Sequence, residues 1–153
     1  MRNVRQIIAG RPLYTVRKGR TIREVVQELA ANQVGALPVV DGERLVGVFS
    51  ERDLITRVLA RGLDIDRARV EDVMTTDLVT ATCDESYDEC LVKMNAAKCR
   101  HLPVLEDGRL AGFLSLRDLL AVAVDEKQLE VSQLNAYIMS SSSGPLDPEG
   151  TRD

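Results

Sequence analysis

The sequence has no tryptophan, one histidine and three cysteines, and its only aromatic side chains besides the histidine are Phe49, Phe113, Tyr14, Tyr87 and Tyr137. So few rings argue against the aromatic stacking platform on which single-stranded nucleic acid binds. A formal net charge of −4 argues against a polyanionic partner in the same direction. One histidine, with cysteines that lack metal-site spacing, leaves a zinc site short of ligands, so no metal is expected. Cys83, Cys90 and Cys99 read as free structural thiols of a reducing compartment. No apolar run approaches the about 20 residues that span a bilayer. The N-terminus also lacks the apolar stretch of a secretory signal, so the expectation is a cytoplasmic chain without membrane contact. Neither a phosphate-gripping Gly-x-x-x-x-Gly-Lys loop nor a local nucleophile–histidine pairing occurs, and no catalytic residue is expected.

What the chain does have is 44% apolar and 29% charged residues over a length of 153, enough for one ordinary core. That core must be built mainly of aliphatic side chains. The charge is uneven: Arg2, Arg5, Arg11, Arg17, Lys18, Arg20 and Arg23 face no acidic residue within positions 1–23. A run of this kind reads first as a solvated basic face.

The most informative feature is an internal repeat. Gly35 to Leu54 returns as Arg100 to Leu119 at an offset of 65 residues without a gap, with ten of the twenty pairs identical. Two copies predict pseudo-twofold symmetry and two equivalent sites. A unit of about 60 residues is marginal alone, so the copies should share a core. Within each copy the order reads β-α-β-β-α. The first has a strand at Leu13–Val16, a helix over 22–33 capped by Thr21, strands at Leu37–Val40 and Arg44–Phe49 around Asp41-Gly42, and a helix from Glu51 to Ala60. The second has a strand at Leu78–Ala81, a helix over 87–98, strands at Leu102–Leu105 and Arg109–Leu114 around Asp107-Gly108, and a helix from Leu116. A charged connector covers 63–72. An amphipathic stretch over 126–139 reads as an added helix, and 140–153 as a disordered tail.

The chemistry is concentrated in Gly47-Val48-Phe49-Ser50-Glu51-Arg52-Asp53 and its echo Gly112-Phe113-Leu114-Ser115-Leu116-Arg117-Asp118. Each straddles a strand end and a helix start, where unpaired N–H groups suit a phosphate. Ser50 and Ser115 can donate to it, and Arg52 and Arg117 can add charge-assisted bonds. Asp53 and Asp118, one turn in, can accept both hydrogens of a ribose diol, as acidic residues do in dinucleotide folds. The competing reading needs no ligand: Ser-x-x-Asp at a helix start is also a capping box.

The paired motifs, with Leu37-Pro38-Val39-Val40, Leu102-Pro103-Val104-Leu105 and the lead-in Val70-Glu71-Asp72-Val73-Met74-Thr75, resemble a tandem pair of cystathionine β-synthase (CBS) domains, a Bateman module, over about residues 4–125. The resemblance implies an α/β fold of two β-α-β-β-α repeats with pseudo-twofold symmetry, followed by a C-terminal helix. The expected divisions are 1–62 for the first repeat with its leader, 63–72 for the connector, 73–125 for the second repeat, 126–139 for the helix and 140–153 for the tail. It further implies a stand-alone regulatory module that needs no cofactor for catalysis. As regulatory ligand it takes an adenosine compound (AMP, ADP, ATP, NAD or S-adenosylmethionine) between the repeats, and it signals to an effector protein, as a homodimer. Asp53 and Asp118 would then hold ribose. Ser50, Arg52, Ser115, Arg117, Arg100 and Lys18 would meet phosphate, and Thr15, Val16, Ala36, Pro38, Thr80, His101 and Pro103 would line the adenine cleft. The basic loop with Lys18, if it reaches the cleft, would favour the more highly phosphorylated ligand in the first copy. The rival expectation is a protein–protein interaction scaffold with vestigial clefts.

Overall fold

The computed structural model describes residues 1–141. Its elements are α1 (Val4–Ile8), β1 (Val16–Arg17), α2 (Ile22–Asn32), β2 (Ala36–Asp41), β3 (Arg44–Ser50), α3 (Glu51–Asp53), α4 (Val70–Val73), β4 (Ala81–Thr82), α5 (Tyr87–Ala97), β5 (His101–Glu106), β6 (Arg109–Ser115) and α6 (Leu116–Ser141). Two three-stranded sheets form, ordered β1-β2-β3 and β4-β5-β6. In each, the first strand runs parallel to the second and the second antiparallel to the third. The registers are equivalent: Ala36 faces Ser50 as His101 faces Ser115, and Val39 faces Gly47 as Val104 faces Gly112. The duplicated α/β architecture read from the sequence is therefore present.

The first core gathers Val16, Ile22, Val25, Leu37, Val39, Phe49 and Val58. The second gathers Tyr87, Cys90, Met94, Leu102, Val104, Leu114 and Leu119. Each is completed by the segment that precedes the other repeat. Val4 and Ile7 of α1 are buried in the second core, whereas Val70 and Val73 of α4 are buried in the first. The leader, which the expected division 1–62 groups with the first repeat, thus places its apolar side chains in the second core. The stretch 63–72, expected as a connector, also covers the first core through Ile65, Ala68 and Val70. The exchange is held by matching backbone bonds: Val4 N–H to Glu85 O at 2.8 Å and Val70 N–H to Arg20 O at 2.9 Å. Close packing needs the two repeated glycines. A Cβ on Gly47 would meet Met74 Sδ at 2.3 Å, and one on Gly112 would meet Ile8 Cγ2 at 2.9 Å.

Three local expectations change. The opening strands start later, at Val16 and Ala81, because the segments before them line cavities instead of pairing. The helix after Asp53 is wound wider, as a π-helical segment Leu54–Leu59, with Ala60 N–H bonded to Ile55 O. The separate helix over 126–139 is the distal part of α6. No Gly or Pro interrupts 116–141, so the helix continues unbroken. Ser140 and Ser141 end that helix, and the rest of the expected tail lies outside the described residues.

Candidate functional site

Between the repeats lie two crevices of about 700 Å³ and about 720 Å³. Ligand pockets of this size hold a compound of nucleotide dimensions. They are related by the internal symmetry. Leu13, Tyr14, Gln33 and Val34 of one correspond at the 65-residue offset to Leu78, Val79, Lys98 and Cys99 of the other. Arg100 and His101 border both.

Each crevice carries one Ser-x-x-Asp corner. In the first repeat, Ser50 caps α3: its Oγ accepts from Asp53 N–H at 3.2 Å, and Asp53 Oδ2 accepts from Ser50 N–H at 3.0 Å. In the second, Ser115 Oγ accepts from Asp118 N–H at 3.0 Å, and Asp118 Oδ2 accepts from Ser115 N–H at 2.9 Å. Both corners are thus complete capping boxes, the alternative weighed above. The first N–H of each helix is also taken, by Gly35 O for Glu51 and by Arg100 O for Leu116. The cradle of free helix N–H groups expected for a phosphate is therefore largely closed, and recognition of an anion falls to side chains.

The two acids sit differently. The Asp53 side chain is only 9% exposed and that of Asp118 is 35% exposed. Asp53 also accepts from Ser50 Oγ–H at 3.1 Å and from Thr75 Oγ1–H at 3.2 Å, with Arg57 Nε at 3.6 Å. Arg57 in turn donates to Met74 O at 3.0 Å, tying the corner to the end of α4. Among the described residues Asp118 has one external partner, Arg11 Nη1 at 3.2 Å from Oδ1.

The other expected residues divide. Ser115, Arg117, Asp118 and Ala36 line one crevice, and Ser50, Arg52, Asp53 and Pro103 line the other. Thr15, Val16, Thr80 and Pro38 line neither, the wall being made two residues earlier by Leu13 and Tyr14 and by Leu78 and Val79. Val16 points into the first core instead. Lys18 also lines neither crevice. Its loop is drawn to α4, with Gly19 N–H donating to Glu71 Oε2 and Arg69 donating to Gly19 O. The proposed effect of that loop on ligand charge therefore has no geometric support.

Sequence reading missed Arg11, Tyr14, Gln33 and Lys98. The last two close α2 and α5 at φ of 54°, a left-handed turn usually marked by glycine, so no signal pointed to them. The His101 ring stacks on Phe113, with centroids 5.3 Å apart and an interplanar angle of 11°. Burial holds its pKa below the usual imidazole value, although Asp118 and Glu51 pull upward. Among the cysteines, burial pushes Cys90 up to about 11, so that thiol stays protonated and inert. Among the described residues no group of three or more His, Cys, Asp or Glu could hold a metal ion, and no helix is long and apolar enough to cross a membrane.

Two symmetric sheets, exchanged lead-in helices and paired crevices define a duplicated α/β module with ligand-sized sites at the joint. The chain belongs to the CBS domain family, whose model matches residues 4–60 and 70–125. It is 31% identical over 123 residues to the mitochondrial CBS domain-containing protein CBSX3 of Arabidopsis thaliana, a match covering 77% of this chain and 60% of that protein. The chain spans only about a quarter of some longer Arabidopsis relatives. Among solved structures it resembles a putative signal-transduction protein with CBS domains from Burkholderia ambifaria at 33% identity and a TM-score of 0.76, covering 81% of this chain and 95% of that one. It also resembles a CBS domain protein from Pyrobaculum aerophilum complexed with AMP, at 31% identity and a TM-score of 0.70, covering 76% and 89%.

Proposed function

We propose that this chain is a regulatory module that binds an adenosine-containing ligand (AMP, ADP, ATP or NAD) between its CBS repeats and passes the resulting change of shape to an effector protein. The observation that carries the reading is the pair of symmetry-related crevices, each bordered by a Ser-x-x-Asp corner and by Arg100 and His101. The AMP complex of a relative with the same fold supports the ligand class. A ligand that touches both repeats stabilises one relative orientation, and the response is limited by its differential affinity for the two states. The Ser50 hydroxyl and the Asp53 carboxylate are engaged with each other as a helix cap, so binding rather than turnover is the function proposed.

Thermal unfolding with a panel of AMP, ADP, ATP and NAD tests this. A ligand at a hundred times its dissociation constant adds about 2.7 kcal/mol. For a chain of this size that raises Tm by about 5–10 °C. A panel in which no adenosine compound moves Tm rejects the proposal and favours a scaffold.

A further inference from the structure

We infer that the two crevices are inequivalent: the Asp118 crevice takes the phosphorylated adenosine ligand, with Arg11 exchanging its carboxylate partner for the phosphate, while the Asp53 crevice is a structural joint. This rests on the reading of the module as an adenosine-nucleotide sensor and specifies which site does the sensing.

Three independent features agree. The first is the carboxylate. A ribose diol needs an accessible acceptor oxygen, and both oxygens of Asp53 are engaged by Ser50, Thr75 and Arg57 behind a nearly closed surface. Among the described residues Asp118 Oδ1 pairs with Arg11 alone, whose side chain is itself 42% exposed and can turn away. The second is the hydroxyl. Ser50 Oγ both accepts from and donates to Asp53, whereas Ser115 Oγ accepts from Asp118 N–H and, among the described residues, donates to no group, which leaves its hydrogen for an incoming oxygen. The third is charge. Arg11, Arg100 and Arg117 border the Asp118 crevice with Asp118 as the one acid. In the Asp53 crevice Arg52, Lys98 and Arg100 are matched by Glu51, Asp53 and Asp77. With the first and third N–H groups of each corner already bonded, the phosphate depends chiefly on arginines, and only one crevice has them in excess over its acids.

The exchange has a structural consequence. Arg11 lies three residues beyond α1, and its own N–H bonds back to Ile8 O. Ile8 packs against Gly112 at the edge of the same crevice. When ribose takes Asp118 and phosphate takes Arg11, the contact between leader and motif is replaced by one that runs through the ligand. Occupancy is thereby reported to the helix that seals the second core.

Calorimetric titration of the full chain with AMP and with uncharged adenosine tests the inference. The expected stoichiometry is one AMP per chain. Arg11→Gln should weaken AMP by about tenfold or more, the loss of a charge-assisted contact, while adenosine binds as well or better because Asp118 is released. Arg117→Glu should weaken AMP similarly, whereas the matching exposed change Arg52→Glu should stay within about twofold. Both charge reversals are at exposed positions, so folding is retained. Two AMP per chain, equal losses for Arg52→Glu and Arg117→Glu, or equal losses of AMP and adenosine in Arg11→Gln would overturn the inference while leaving the sensor reading intact. An unaltered chain that binds neither compound overturns the inference, and the sensor reading falls with it only if ADP, ATP and NAD also leave Tm unmoved.

Discussion

At the scale of single residues, the same four-residue motif has two environments. Asp53 is a buried cap that joins Ser50, Thr75 and Arg57, and Asp118 is a cap at a crevice edge with one arginine. Removing a charge from a buried, multiply bonded group costs more than removing it from a partly exposed one. Asp53→Asn is therefore expected to lower unfolding free energy by about 1–3 kcal/mol, and Asp118→Asn by about 1 kcal/mol or less. Urea denaturation of the two variants checks this, and equal losses would contradict it. His101 sets a pH dependence. Its unfolded imidazole titrates near about 6.5, and burial lowers the folded value. Between those two values the unfolded chain binds more protons, so the contribution is fully present above the unfolded value and is lost as pH falls through the folded one. Tm should decline on acidification from neutrality, and His101→Gln should flatten the decline. A variant whose Tm tracks the parent across that range would show that another group is responsible.

At the scale of elements, the exchange of lead-in helices decides which segments stand or fall together. α1 contributes Val4 and Ile7 to the second core, far from its sequence neighbours. Burying an aliphatic side chain is worth about 1.5–3 kcal/mol, so deletion of residues 1–9 is expected to cost about 3–6 kcal/mol. Hydrogen exchange should show protection lost first in β4–β6 and α5, not in the adjacent α2. If α2 and β1 open first, the packing of α1 is not what holds the second repeat. The π-helical segment follows from local chemistry too: Thr56 Oγ1–H returns to Arg52 O at 2.8 Å, and Gly62 at a φ of 66° lets the chain leave the wider turn.

At the scale of the whole molecule, matching helical faces of the two repeats are exposed. Ile55 and Leu59 after α3 are exposed, and so are Leu120 and Val124 of α6, which stand at the same positions of the repeat. Symmetric apolar faces of this kind suit a second copy, so a homodimer is proposed with these faces against each other. Sedimentation equilibrium should give twice the chain mass, and the double change Leu120→Asp with Val124→Asp should return the monomer. A parent that already sediments as a monomer would discard the arrangement.

The duplicated α/β order, the hairpins at Asp41-Gly42 and Asp107-Gly108 and the two Ser-x-x-Asp corners follow from the sequence alone. They depend on side-chain period, turn residues and caps, all of which act over a few neighbouring positions. Only the tertiary structure decided that α1 and α4 change places, that Arg11 stands against Asp118 and that Lys18 stands against neither crevice. Those outcomes depend on which surfaces meet when two similar units pack together, and residues far apart in the sequence leave no local pattern to announce it.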